Sequence, residues 1–185
     1  MDGASELARL RDALARALPL PTAPFRPPAT DADLARLAAS IGRPVPADLA
    51  SLLRVADGQE PADGTYGPVN LHRFLGVDEI IALHGMLGET VGDLSEPVAQ
   101  PSAYSCTVWS PAWIPFMASE GDCYAIDLAP GETGVVGQVF SRPNVPDLEP
   151  PLADSIPAFL RKIVDVVDDG AYEVHSGSIV SAGLF

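Results

Sequence analysis

The sequence predicts an α+β fold, with helices packed on a mainly antiparallel mixed sheet, from three observations. Leucine and alanine recur at three- and four-residue steps through the first third of the chain, the spacing of buried helical faces. Three short apolar runs between residues 113 and 140 are separated by clusters rich in Gly, Pro and acids, and links that short join antiparallel neighbours. A strongly amphipathic stretch follows at 155–168, with its apolar residues on one helical face. The 185 residues are 47% hydrophobic, which suits one domain with a substantial core and argues against wholesale disorder.

Taken in order, Leu7, Leu10, Leu14 and Leu18 mark a first helix, with Ser5 as its expected N-cap and Pro19 as its stop. Pro19, Pro21, Pro24, Pro27 and Pro28 form a stiff connector. Residues 1–29 thus read as a helical appendage on a domain spanning 30–185. Thr30 and Asp33 have the three-residue spacing of a capping box ahead of Leu34, Leu37, Ala38 and Ile41, and Gly42 is suited to a left-handed stop. A third helix is expected to carry Leu49, Leu52, Leu53 and Ala56 until Asp57 and Gly58. Val69 to Leu71 and Phe74 to Leu75 read as short strands, and a helix capped by Asp78 is expected to end near Leu87, with loop to Ser105. The strands predicted next are Trp113 to Ala118, Cys123 to Leu128 and Val135 to Phe140. Ser155 should cap the last helix, ahead of strands at Tyr172 to His175 and near Ile179.

Charge narrows the function. The net charge of −14 is uneven: residues 1–54 carry six acids and seven basic side chains, residues 55–185 nineteen and four. No basic residue lies between Arg73 and Arg142, a span holding nine acids. Nucleic-acid binding needs clustered Lys and Arg, and Lys162 is the sole lysine. No run approaches the roughly 20 apolar residues of a membrane span, and Met1 to Glu6 lacks the basic start of a signal peptide, so a cytoplasmic protein is expected.

Chemistry-bearing motifs are sparse. His72, His84, His175, Cys106 and Cys123 show no zinc-ligand spacing, and the cysteines read as reduced core thiols. Gly131, Gly134 and Gly137 fit a hairpin turn better than a phosphate cradle, which would need a helix N-terminus after it. No nucleophile elbow is present, and paired carboxylates such as Asp122 and Asp127 fit a solvated surface better than acid–base work. No cofactor or metal is expected. Of Trp109 and Trp113, one reads as core and the other as a partly exposed candidate anchor.

Several fragments together resemble a known family. Gly42-Arg43-Pro44-Val45-Pro46-Ala47-Asp48-Leu49, running through Leu52 and Leu53 to Asp57-Gly58, resembles the helix, Gly-x-x-Leu-Pro, helix, Asn-Gly opening of the SUKH superfamily, named in part for the yeast Smi and Knr cell-wall regulators. Trp113-Ile114-Pro115-Phe116, Gly121-Asp122, Ile126-Asp127-Leu128, Gly134 and Gly137-Gln138-Val139 are similar to its central strands, and Ser155 to Leu160 to its closing helix. Val45 replaces the usual leucine and Asp57 the usual asparagine. The resemblance covers about Thr30 to Tyr172. It implies a single SUKH-like α+β domain and a non-catalytic role, either bacterial immunity against polymorphic toxins, many of them nucleases, or regulation as an interaction hub.

The expectation is a protein-binding module that neutralises a cognate toxin, or another basic protein, through an acidic surface. Asp57, Glu60, Asp63, Glu120, Asp122 and Glu132, all in expected loops and turns, are the candidate partner-binding acids, with Trp109 as anchor. The alternatives are a regulatory scaffold in cell-wall or envelope control and, after it, a small-ligand binder or enzyme using a cleft near Trp113, Asp122 and Asp127.

Overall fold

The computed structural model describes residues 3–18, 24–60, 67–91, 101–105, 108–119, 121–143, 148–181 and 184. Their elements are α1 (Gly3–Ala17), α2 (Asp31–Ile41), α3 (Ala47–Leu53), β1 (Arg73–Phe74), α4 (Val77–Val91), β2 (Trp113–Ala118), β3 (Cys123–Asp127), β4 (Gln138–Arg142), α5 (Ile156–Asp168), β5 (Glu173–His175) and β6 (Ser178–Val180). The main sheet is antiparallel in the order β1-β2-β3-β4, and β5 and β6 form a separate hairpin.

Alternation along the strands divides the interior into two cores. Ile114, Phe116, Met117, Tyr124, Ile126 and Val139 face the helices and join the main core. Trp113, Ala125 and Phe140 face the other way and form a second core with Ala103 and Tyr104. The register between β2 and β3 slips at Phe116, a bulge that turns both Phe116 and Met117 toward the helices.

The N-terminal helix is no appendage. It packs on α5 and α3, and Leu7, Leu10, Ala13, Leu14 and Leu18 belong to the main core. Its start lies two residues before the expected Ser5 cap, where Gly3 sits so close to Asp48 and Ser51 that a Cβ would come within 2.9 Å of both. Buried Glu6 accepts hydrogen bonds from Arg9 and Arg161, at 3.0 Å each. The described part of the connector runs along residues 53–60: Arg26 N–H donates to the Gly58 carbonyl, Asp57 N–H to that of Pro27 and Ala29 N–H to that of Leu53. Turning there to meet the connector, the chain leaves α3 at Leu53, earlier than expected.

Local signals hold best at α2. Thr30 and Asp33 form the reciprocal capping box and Gly42 has φ +69°. Thr30 holds the Asp33 carboxyl down at about 2, with Arg36 adding to the effect. Ser155 likewise caps α5 through the Ala158 N–H.

Three element expectations need correction. Residues 67–72 form a tight turn, with Asn70 and Leu71 at φ +45° and +66°, instead of a strand. Asn70 is held there because its N–H donates to Ile179 and its side chain bonds Tyr124 and Ser181. Helix α4 begins at Val77 and continues past Leu87 to Val91; Asp78 is not its cap, since the Asp57 carboxylate takes the Val77 N–H at 2.7 Å and Glu79 takes that of Gly76 at 2.9 Å. Strand β4 begins at Gln138, leaving Val135 and Val136 in a loop.

Candidate functional site

The end of the sheet where β2 begins and β3 finishes is built around a hydrogen-bonded pair. Asp127 is buried at the end of β3, opposite Gln138 at the start of β4. The Asp127 carboxylate accepts from Ala129 N–H at 2.9 Å and from the Gln138 amide at 3.3 Å. That amide also donates to the Ala103 carbonyl, while its oxygen accepts from Val135 N–H, both at 2.9 Å. Burial pushes the Asp127 carboxyl up, and the Ala129 N–H, Trp113 and Gln138 oppose the shift.

The loop from 128 to 137 is fastened to the segment 101–105. Gly131 N–H donates to Ala103, Thr133 N–H to Ser102, and the two hydroxyls of Ser102 and Thr133 meet at 2.8 Å. A Cβ on Gly131 would lie 2.3 Å from the Ser102 carbonyl oxygen, and one on Gly134 2.3 Å from that of Ala103. Glycine is therefore required at both positions by close backbone approach. Gly137 N–H closes the loop onto the Asp127 carbonyl at 2.7 Å. Tyr104 ties in a third segment, its hydroxyl donating to the Glu149 carbonyl at 2.7 Å.

Aromatic rings support this end from beneath. Tyr104, Trp113 and Phe140 pack at centroid separations of 4.9 to 6.1 Å. Half-buried Trp109 stands edge-on to Trp113 at 6.1 Å and to His84 of α4 at 5.4 Å. The division expected for the tryptophans holds: Trp113 is core and Trp109 partly exposed.

The sequence-predicted acids that are described, Asp57, Glu60, Asp122 and Glu132, do not converge. Glu132 is exposed on the 128–137 loop, with Trp109 on the aromatic support of the same end. Asp122 lies at the opposite end of β3 from Asp127, roughly 16 Å along an extended chain, so the two cannot share an acid–base site. Asp57 and Glu60 lie beside the β1 edge, Asp57 as the cap of α4 and Glu60 exposed, its N–H donating to the Pro24 carbonyl. Asp63 and Glu120, like Cys106, fall outside the described residues. Cys123 is buried, its thiol pushed up to about 12 mainly by burial, which leaves it unreactive.

Sequence reasoning missed Glu149 and the pair Val135 and Val136, both valines exposed, the second by 67%. A signal was present: the valines stand between Gly134 and Gly137 with no apolar–polar alternation, which a half-buried strand requires.

Exposed carboxylates stand at this end, and a cation lies near them: Lys162 donates to the Leu152 carbonyl at 3.5 Å, and Leu152 N–H in turn donates to the carbonyl of Val139, next to Gln138. Among the described residues Glu132 and Glu149 make no ion pair, while the pairs that occur all involve helices or the Arg26 and Arg73 flanks of α4: Glu6 with Arg9 and Arg161, Asp168 with Arg16, Glu79 with Arg26 and Arg73, Asp33 and Asp78 with Arg36, Asp31 with Arg54. No group of three or more His, Cys, Asp or Glu side chains placed to hold a metal occurs among the described residues, and no helix among them is long and apolar enough to cross a membrane.

With a helical layer over a four-stranded antiparallel sheet, the profile of the SMI1 / KNR4 family (SUKH-1) matches residues 28–162. The chain belongs to that family. The SUKH match takes in α2 to β4 and most of α5, and leaves out α1 and the β5–β6 hairpin. No curated protein matches the sequence. SUKH proteins are generally non-enzymatic, commonly bind partner proteins, and include immunity and regulatory members.

Proposed function

We propose that this SUKH chain is a non-enzymatic immunity protein that neutralises a cognate bacterial toxin by docking an acidic surface over it. The single observation that carries the reading is the exposure of Glu132 and Glu149 at the loop end of the sheet, outside the ion pairs of the described residues, with no lysine or arginine in the chain from 74 to 141. A toxin that holds phosphate, such as a nuclease, is basic where it does so, and a fixed anionic face both steers its approach and competes for that site. The fully hydrogen-bonded, buried state of Asp127 supports a structural role for it rather than an acid–base one. Co-expression with the product of the adjacent reading frame tests the reading: growth should be rescued by this chain and the two products should co-purify. A neighbour that is not toxic would instead favour a regulatory scaffold.

A further inference from the structure

The 128–137 loop joins two properties that seldom occur together, rigidity and apolar exposure. Every N–H it has, apart from those of Glu132 and Val136, is hydrogen-bonded. Gln138, itself buried, holds Val135 in place from inside the sheet, and two glycines press the backbone onto 102–104. Yet this fixed scaffold turns Val135 and Val136 into water, 48% and 67% exposed, two of the four large exposed hydrophobics among the described residues. A stiff loop ending in two adjacent β-branched side chains loses little conformational entropy on binding, which is the property of an interface anchor.

The charge around the tip selects the occupant. Exposed Glu132 is on the same loop, and exposed Glu149 is on the segment Tyr104 ties to it. Along the strand the first arginine is Arg142, at the far end of β4, and Lys162 reaches only the Leu152 carbonyl, behind the loop on the side of α5. An acidic or neutral apolar partner would gain nothing from these carboxylates, whereas a basic one is drawn by them and fixed in register.

We propose that the β3–β4 loop is a preformed docking element whose Val135–Val136 tip enters an apolar depression on a basic protein surface. This rests on the protein-binding reading above and names the residues that would carry it.

The test uses the full chain, 15N-labelled, titrated with two synthetic peptides of equal length, one alternating lysine and leucine and one of lysine alone. The Lys–Leu peptide should shift the amides of residues 132–136 most, and bind about tenfold more weakly to a Val135→Ser/Val136→Ser double variant, the loss expected when an anchor is truncated. Binding of oligolysine should be unchanged by that variant. Because both valines are exposed, the double variant should melt with the wild-type midpoint, separating lost binding from lost folding. Shifts centred elsewhere, or equal binding of both peptides to both proteins, would overturn the proposal. The immunity reading is judged separately: a double variant that protects as well as wild type against a toxic neighbour removes the loop from the interface and leaves immunity standing, while loop-centred peptide binding beside a harmless neighbour supports the docking element and removes immunity.

Discussion

The helical side of the molecule and the loop end of its sheet use acidic residues in different ways. On the helical side, many acids serve the fold: Glu6 anchors α1 to α5, the Asp33 carboxylate accepts from Thr30 N–H to complete the capping box of α2, Asp57 and Glu79 hold the start of α4, and several others pair with arginines. At the loop end, buried Asp127 serves the fold, and the carboxylates of exposed Glu132 and Glu149 stand outside the ion pairs of the described residues. The difference teaches that the −14 charge divides into acids bonded into the fold, which are concentrated on the helical side, and exposed acids outside the ion pairs of the described residues, which include Asp12, Asp165 and Asp169 there as well as Glu132 and Glu149.

The sharpest way to break this comparison is to show that the helical side is not a single packed unit. Leu10 is fully buried in α1, which lies outside the family match. Leu10→Ala should lower the unfolding free energy by about 3 kcal/mol, the cost of a core cavity, measured by urea denaturation. A loss below about 1 kcal/mol, the size of an ordinary surface effect, would mean α1 contributes little to the cooperative core.

That docking was not legible in the sequence, although the helix was. A leucine stripe shows that a face will be covered, not by what, and the proline connector suggested separation because its contacts with residues 53–60 are tertiary. The capping box at Thr30 and Asp33 could be read because both partners lie within one turn. Asp57 could not be read as a cap because the Val77 N–H it accepts is twenty residues away. Val135 and Val136 were misplaced for a related reason: their β propensity is real, but a side chain from Gln138 stops the strand before it reaches them.

Gln138 offers the corresponding test of the loop end. Gln138→Leu keeps the volume and removes the amide, leaving the Ala103 carbonyl, the Val135 N–H and part of the Asp127 carboxylate without that partner. Buried groups so abandoned cost about 1 to 3 kcal/mol. Amide exchange at 131–137 should accelerate more than exchange in α2, since the loss is local.

A pH titration separates the regions next. His72 is buried against Tyr124 at 4.3 Å, its Nδ1–H bonded to the Asn70 carbonyl and its Nε2 without a hydrogen-bond partner. Burial pushes its pKa below 6.5, against smaller upward effects of Asn70 and Asp122. The unfolded chain therefore takes up the proton first as pH falls, so His72's contribution is complete above about 6.5 and is lost below it. Asp127, whose pKa is raised, acts in the opposite sense at more acidic pH, because its folded form binds the proton more readily. The urea midpoint should fall from pH 7 to pH 5.5, and His72→Phe should flatten that slope.

The smallest effects on stability discriminate the two acid populations most directly. Asp168→Asn removes the exposed Arg16 pair at 2.7 Å and should cost under about 1 kcal/mol, as surface pairs do. Glu132→Gln removes the same charge where no ion pair of the described residues offsets it, so the stability change should be nil or slightly favourable, the excess negative charge being reduced. Association with a basic partner should rank the two the other way. Glu132→Gln should slow the association rate and flatten its dependence on salt, while Asp168→Asn, whose charge Arg16 already offsets, should leave both nearly as they were. Equal effects of the two substitutions on association would show that the partner senses net charge alone, and the distinction between the two ends of the molecule would lose its functional meaning.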